Sequence, residues 1–172
     1  MVDANLLVTF DPSHAGSAKD EIDMVLKEIK KKAKHLDSEV DGLFKLNVAN
    51  PKGAVKSLNK LFAKKAELFE KTCHWIPIDK WVKTSIKDMQ KEIKKMQVKI
   101  KKTDKWKLSL AKRKYDKHGT MELVMKLTEV IDKPNVDLKK PKKIMQVEII
   151  GNKAGLALLN SDEFLNTMTG KK

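Results

Sequence analysis

Apolar positions along the chain recur with two different periods. Residues 5–10 (NLLVTF) form a short apolar run, the pattern of a buried strand. Asp11-Pro12-Ser13 breaks it, and Ser17 with Asp20 three positions later resembles a capping box. Ile22, Val25, Leu26, Ile29 and Ala33 then lie on one face of a helix. Phe44, Leu46 and Val48 alternate with Lys45 and Asn47, which predicts a second strand. Asn50-Pro51 combines an N-cap residue with proline at the first helical position, so a helix follows, with Val55, Leu58, Leu61, Phe62 and Phe69 on its buried side. Residues 74–78 (HWIPI) predict a third strand, and Pro77 argues for a sheet edge. The order is β-α-β-α-β. A ferredoxin-like unit needs one more strand before its second helix, and none is clear between Leu36 and Val48.

A second series of elements begins near Ser85. Ile86, Met89, Ile93, Met96 and Ile100 make a regular helical stripe, with Lys87, Lys91, Lys94 and Lys95 on the other side. Trp106, Leu108 and Leu110 alternate with Lys107, Ser109 and Ala111 in a strand that runs into Lys112-Arg113-Lys114. Gly119 precedes a helix with Leu123, Val124, Leu127, Val130 and Ile131 on its apolar face. Residues 135–143 form a polar, proline-broken loop, and residues 144–150 and 154–159 predict two strands joined by a tight turn at Gly151-Asn152. The pattern therefore predicts an α/β (α+β) protein: a first domain over residues 1–80, a second over 81–166, and a frayed tail over 167–172.

Charge adds what the periodicity cannot. The 172 residues carry 37 Lys+Arg against 23 Asp+Glu, for a net charge of +14. Residues 1–79 hold 13 basic and 12 acidic side chains, whereas residues 80–172 hold 24 and 11. The excess is thus confined to the second half, and residues 80–118 alone hold 15 basic against 4 acidic. Clustered cations displace condensed counterions from phosphate, so this half fits a polyanion partner. The plainer alternative is a lysine-rich surface from a lysine-biased proteome, since all but one of the basic residues are lysine. Such a bias alone would not separate charge by halves.

Several function classes lack their signatures. The 7 glycines form no phosphate-cradling loop, and the four histidines, His14, His35, His74 and His118, have no metal-ligand spacing. One cysteine, Cys73, allows no internal disulfide and points to a reducing compartment, most simply the cytoplasm. No stretch of about eighteen apolar residues suggests a membrane span, and residues 1–10 lack a secretory leader's basic start. Neither a catalytic group, a metal site nor a cofactor is expected. Three lysine-rich segments remain as candidate contacts: Lys112-Arg113-Lys114, the 139–143 loop (KKPKK), and residues 101–105 (KKTDK). Arg113, the only arginine, offers phosphate a planar fork that lysine cannot reproduce. The 139–143 loop repels itself, so a bound phosphate would relieve it; a merely solvated loop is the alternative reading. Trp106 alternates with Leu108 and Leu110, which favours the core over base stacking.

Residues 106–114 (WKLSLAKRK) and 135–159 (NVDLKKPKKIMQVEIIGNKAGLALL) resemble a THUMP domain, the first in its strand leading to a basic cluster and the second in its loop, strand and closing hairpin. NLLVTF at the start and residues 75–84 (WIPIDKWVKT) are similar to stand-alone THUMP proteins of tRNA acetylation, in which a ferredoxin-like domain comes first. That resemblance implies a non-catalytic, tRNA-binding adaptor that helps a separate tRNA cytidine acetyltransferase form 4-acetylcytidine in the D-arm, and it suggests an archaeal source. The candidate RNA-binding set is Lys105, Lys107, Lys112, Arg113, Lys114, Lys139, Lys140, Lys142 and Lys143, centred on Arg113. Lys142 stands where the family commonly has an acid. The alternatives are the tRNA-recognition part of a thiolation or methylation enzyme, and a general basic RNA-binding structural protein.

Overall fold

A computed structural model describes residues 3–170. The chain divides into two compact units, Met1–Ile78 with Asp162–Lys172, and Asp79–Ser161. The first break falls between Ile78 and Asp79. The chain's return to the first unit at Asp162 does not match the expected boundary at 166.

The first unit contains β1 (Leu6–Phe10), α1 (Ala15–Glu28), β2 (Lys34–Leu36), β3 (Leu43–Asn47), α2 (Pro51–Lys64) and β4 (Thr72–Pro77). This is the β-α-β-β-α-β order of a ferredoxin-like unit. The strand that the sequence pattern lacks is β2. Its three residues, Lys-His-Leu, pair antiparallel with β3 from Lys34↔Asn47 to Leu36↔Lys45. They are too few to show an alternation, and they follow directly on Ala33, the last position of the apolar helical face. The helix stops at Glu28 because Lys30 takes a left-handed conformation, φ 59°. The Lys30 amide donates to the Lys27 carbonyl (2.9 Å) and the Lys31 amide to that of Leu26 (2.8 Å), a Schellman closure with lysine where glycine is usual. At the other end, α1 begins at Ala15 after a short turn capped by Asp11, so Ser17 lies within the helix and forms no cap.

The sheet order continues past β4 to β9 (Leu165–Asn166), giving β2-β3-β1-β4-β9, antiparallel throughout. β4 is therefore interior rather than an edge. Pro77 is tolerated because β9 pairs only with His74 and Trp75, leaving the proline at a strand end without an outer partner. Leu6, Val8, Ile22, Leu26, Leu58, Trp75 and Leu165 meet in one core. Leu165 is 1% exposed, and Thr167 is buried with its hydroxyl donating to the Thr72 carbonyl at 2.6 Å. The segment expected to fray is thus packed at Thr167, while Lys171 and Lys172 lie outside the described residues. Glu21 reaches from α1 to β4, its two carboxylate oxygens accepting from the amides of Lys71 (2.8 Å) and Thr72 (2.7 Å).

The second unit runs β5 (Lys80–Lys83), α3 (Ile86–Met96), β6 (Trp106–Arg113), α4 (Thr120–Thr128), β7 (Lys143–Ile150) and β8 (Lys153–Asn160), in the sheet order β5-β8-β7-β6. Ser85 caps α3 by accepting the Asp88 amide. Strands β6 and β7 are parallel, joined through α4, whereas β7 and β8 form an antiparallel hairpin. Gly151, at φ 61°, supplies the left-handed residue of its two-residue turn, as its position in the sequence predicts. Met89, Ile93 and Ile100 pack with Leu123, Leu127 and Ile131 onto Trp106, Met145, Val147, Ile149, Leu156 and Leu158. Trp106, 3% exposed, belongs to this core, which agrees with its place in the alternation.

Candidate nucleic-acid interface

Charge follows the units. The first holds 15 basic and 13 acidic residues, the second 22 and 10. Within the second unit, two lysine-rich segments that are about thirty residues apart in sequence are joined at the start of β6. The Trp106 amide donates to the Asn135 carbonyl (2.9 Å), and the Asp137 amide to that of Trp106 (2.8 Å). The amides of Lys142 (2.7 Å) and Lys143 (3.0 Å) both donate to the Lys105 carbonyl. The Asn135 side chain donates to the Lys102 carbonyl at 2.7 Å, and the indole of Trp106 to that of Lys133 at 3.2 Å. The 101–105 turn and the 133–143 loop thus share one hydrogen-bonded frame.

Two aspartates hold that frame against the repulsion of its lysines. Asp104, 4% exposed, accepts the Lys101 amide at 2.9 Å and lies 3.4 Å from the Lys142 ammonium. The Lys101 amide, and after it the charge of Lys142, hold its carboxyl below the usual range, with burial acting the other way. Asp137 accepts the amides of Lys140 and Lys139, both at 3.0 Å, and lies 3.8 Å from the Lys105 ammonium. Those two amides come first in keeping its carboxyl low, followed by Lys105. An aspartate bonding the amides two and three residues ahead is an Asx turn, so the loop's course is set locally.

The resulting pole presents Lys101, Lys102, Lys139 and Lys140 as exposed side chains with no ion pair among the described residues. Lys105 and Lys142 are also exposed, each loosely paired with its aspartate. Lys143 is half-buried and donates to the Asn160 side chain, and Lys107 is half-buried on β6. Val136 and Leu138, 58% and 71% exposed, flank Asp137 in the same loop. Sequence reasoning singled out the lysines but missed the organising role of Asp104 and Asp137. The Asp-x-Lys-Lys spacing of an Asx turn was the signal that could have shown it.

The Lys112-Arg113-Lys114 segment lies elsewhere. The parallel register sets Trp106 opposite Lys143 and Arg113 opposite Ile150. Seven steps along the strand, at about 3.3 Å each, separate the two ends by roughly 23 Å. The nine candidate cations therefore do not form one patch centred on Arg113. The Arg113 fork is also partly engaged within the unit: Nη1 lies 3.2 Å from Glu148 Oε1, with the arginine side chain 25% exposed and the glutamate 1%. Glu148 also accepts from the Gln146 amide at 3.0 Å. Burial pushes the Glu148 carboxyl above its ordinary range, and Arg113 is the main influence opposing that rise. Lys112 donates to the His118 carbonyl at 3.1 Å, leaving Lys114, exposed and at φ 54°, as the open cation of this trio.

Comparison with solved structures identifies the class of fold. The structure of PH1313 from Pyrococcus horikoshii Ot3 superposes with a TM-score of 0.62 at 17% identity, over 91% of this chain and 55% of that one. TrmN from Thermus thermophilus matches with a TM-score of 0.57 at 13% identity, over 89% of this chain and 44% of that one. A predicted N6-adenine-specific DNA methylase from Listeria monocytogenes str. 4b F2365 matches with a TM-score of 0.56 at 9% identity, over 92% and 40%. The chain spans about half the length, or less, of these solved structures. The fold is mixed α/β, with a ferredoxin-like first unit and a THUMP-like second unit. No protein-family model and no curated protein matches the sequence. Among the described residues, no helix is long and apolar enough to cross a membrane, and no cluster of three or more His, Cys, Asp or Glu could hold a metal.

Proposed function

We propose that the protein binds tRNA through the lysine pole of its second unit and acts as a non-catalytic adaptor for a separate tRNA cytidine acetyltransferase. The observation that carries the RNA-binding part is the joining of two lysine segments by Asp104, Asp137 and main-chain hydrogen bonds into one fixed surface. Fixed cations lose less freedom on meeting phosphate than cations on a mobile loop, so the frame favours binding to a folded RNA of definite shape. The adaptor role and the 4-acetylcytidine product rest on the sequence resemblance. In that role the chain supplies position rather than chemistry.

The test is salt-dependent tRNA binding by the full chain and by a Lys139→Gln/Lys140→Gln variant. Removing one phosphate-binding cation should lower the slope of log affinity against log salt by about 0.7–0.9. An unchanged slope and affinity would remove the pole from the interface. Acetylation of tRNA by the acetyltransferase, with and without the chain, tests the adaptor role; equal acetylation in both defeats it.

A second reading is favoured by the neighbours' greater lengths: the chain is the RNA-recognition part of a methylation or thiolation enzyme. Modified nucleosides of tRNA from cells lacking the protein separate the two readings. Loss of a methylated or thiolated nucleoside with 4-acetylcytidine intact would establish the second.

A further inference from the structure

We infer that the outer face of α3 is a second phosphate-binding surface, continuous with the lysine pole, and that it takes the backbone of a double-helical RNA segment. This surface presupposes the RNA binding proposed above and lies outside the nine candidate cations. Lys87, Lys91, Lys94, Lys95 and Lys99 are all exposed and have no ion pair among the described residues. Lys87, Lys91 and Lys95 follow at four-residue steps with Lys94 beside them, so they form one row, opposite the buried Met89 and Ile93. From Lys87 to Lys99 the row is about 18 Å long, at about 1.5 Å per residue. Lys101 and Lys102, exposed members of the pole, come directly after it in the chain, so row and pole make one line of cations.

A solvated helix face ordinarily sets opposite charges at such steps, as Lys19 and Asp23 are set on α1, 3.4 Å apart. α3 does the reverse. Both of its acids are drawn out of the row: Asp88 accepts the Ser85 hydroxyl (2.6 Å) at the amino-terminal cap, and Glu92, 8% exposed, lies 2.9 Å from the Lys80 ammonium. What remains places like charges four residues apart, which destabilises a helix. The carbonyl end of α3 explains Lys94 and Lys95, which lie in its last turn. It does not explain Lys91, near the middle, or Lys87, in the first turn, where the helix dipole opposes a cation. α2 also carries a row, Lys56, Lys60 and Lys64, but past Lys65 that row meets the exposed Glu67 and Glu70 rather than further cations.

The surroundings of the row choose the ligand. A membrane surface, or a protein groove that receives basic amphipathic helices, takes up the helix's apolar face. In α3 that face is already in the core, with Met89 and Ile93 both 0% exposed. The partner is therefore a polyanion met by cations alone. Single-stranded RNA is held by stacking on aromatic rings as well as by charge. The aromatic rings of the second unit, Trp81, Trp106 and Tyr115, are each buried or half-buried. A duplex hides its bases and presents phosphates at fixed positions. A straight row of cations on a packed helix meets such a backbone without having to order a flexible strand.

The test is salt-dependent binding of the full chain to a blunt RNA duplex and to one of its strands alone. The variant is Lys87→Gln/Lys91→Gln, and the control is Lys60→Gln/Lys64→Gln, the same charge change at exposed positions of α2. Glutamine forms helix about as well as lysine, and the variant removes a like-charge pair, so α3 keeps its fold. On the duplex, Lys87→Gln/Lys91→Gln should lower the slope of log affinity against log salt by about 1.8, two contacts at about 0.9 each. The α2 control should leave the slope unaltered. An unchanged slope in the α3 variant, or an equal fall in variant and control, would overturn the α3 surface. The single strand binding as tightly as the duplex would overturn the double helix as its ligand. Failure here and failure of the RNA-binding reading are separable. A slope lowered by Lys139→Gln/Lys140→Gln but not by Lys87→Gln/Lys91→Gln leaves the pole standing and removes α3; no binding of tRNA by the unaltered chain removes both.

Discussion

Replacing Arg113 with alanine should damage the fold of the second unit before it reports anything about RNA. The substitution leaves Glu148, 1% exposed, without the guanidinium 3.2 Å away. At that distance and an effective dielectric constant near 20, the forfeited attraction is about 5 kcal/mol. Removing one partner of a buried pair costs about 3–5 kcal/mol in comparable cases. For a chain of this length, about 3 kcal/mol corresponds to a fall of roughly 6–12 °C in Tm. The sign with pH follows from Glu148, whose carboxyl burial already holds above its ordinary range. A group raised in the folded state costs nothing below its unfolded value, about 4.3, and its penalty grows as pH rises through the folded value. Without Arg113 the folded value rises further, so the variant should lose most stability near neutrality and approach the wild type near pH 4. Thermal unfolding followed by circular dichroism across pH 4–8 measures this. The Arg113→Met/Glu148→Leu double variant should recover most of the loss, because it removes both charges. A loss under about 1 kcal/mol at neutral pH, with no dependence on pH, would refute the reasoning.

Other outcomes follow from the same geometry. Asp137→Ala removes the acceptor of the Lys139 and Lys140 amides, so hydrogen exchange at both should quicken while the β7–β8 hairpin keeps its protection. Glu21→Ala leaves the Lys71 and Thr72 amides without their acceptor, and urea unfolding should show a loss of about 2–3 kcal/mol. Asp104 and Asp137 have lowered values, so their contribution is complete above about pH 4 and disappears as pH falls through the folded values. Amide exchange in the 101–105 and 137–143 segments should therefore rise on acidification below pH 4, ahead of the global acid transition; exchange that changes only with global unfolding would count against the two aspartates as organisers.

How far the sequence discloses the molecule depends on the length and locality of each signal. The stripe from Ile86 to Ile100 spans four turns, and the Gly151-Asn152 turn is set by two adjacent residues, so both were legible. The resemblance over residues 106–114 and 135–159 extended that reading to a THUMP-like unit. β2 was not legible, because three residues carry no period and the helix before it ends on a lysine rather than a glycine. β9 was hidden for a similar reason: two residues become a strand only because β4 accepts them. The site divided along the same line. Local lysine density drew attention to residues 101–105 and 139–143, and the frame joining them is non-local. Arg113 was misjudged as the centre because its partner, Glu148, is thirty-five positions away and becomes its neighbour only through parallel pairing of β6 with β7.

The return of Leu165 and Thr167 to the first unit also sets an order of assembly. A ribosome releases residues 79–161 before it releases the last strand of the sheet that began at Leu6. The second unit therefore has all its strands present while the first still lacks β9 and the Thr167 hydroxyl that bonds Thr72. Domains are usually completed from the amino terminus onward during synthesis. In this protein the unit begun first is finished last.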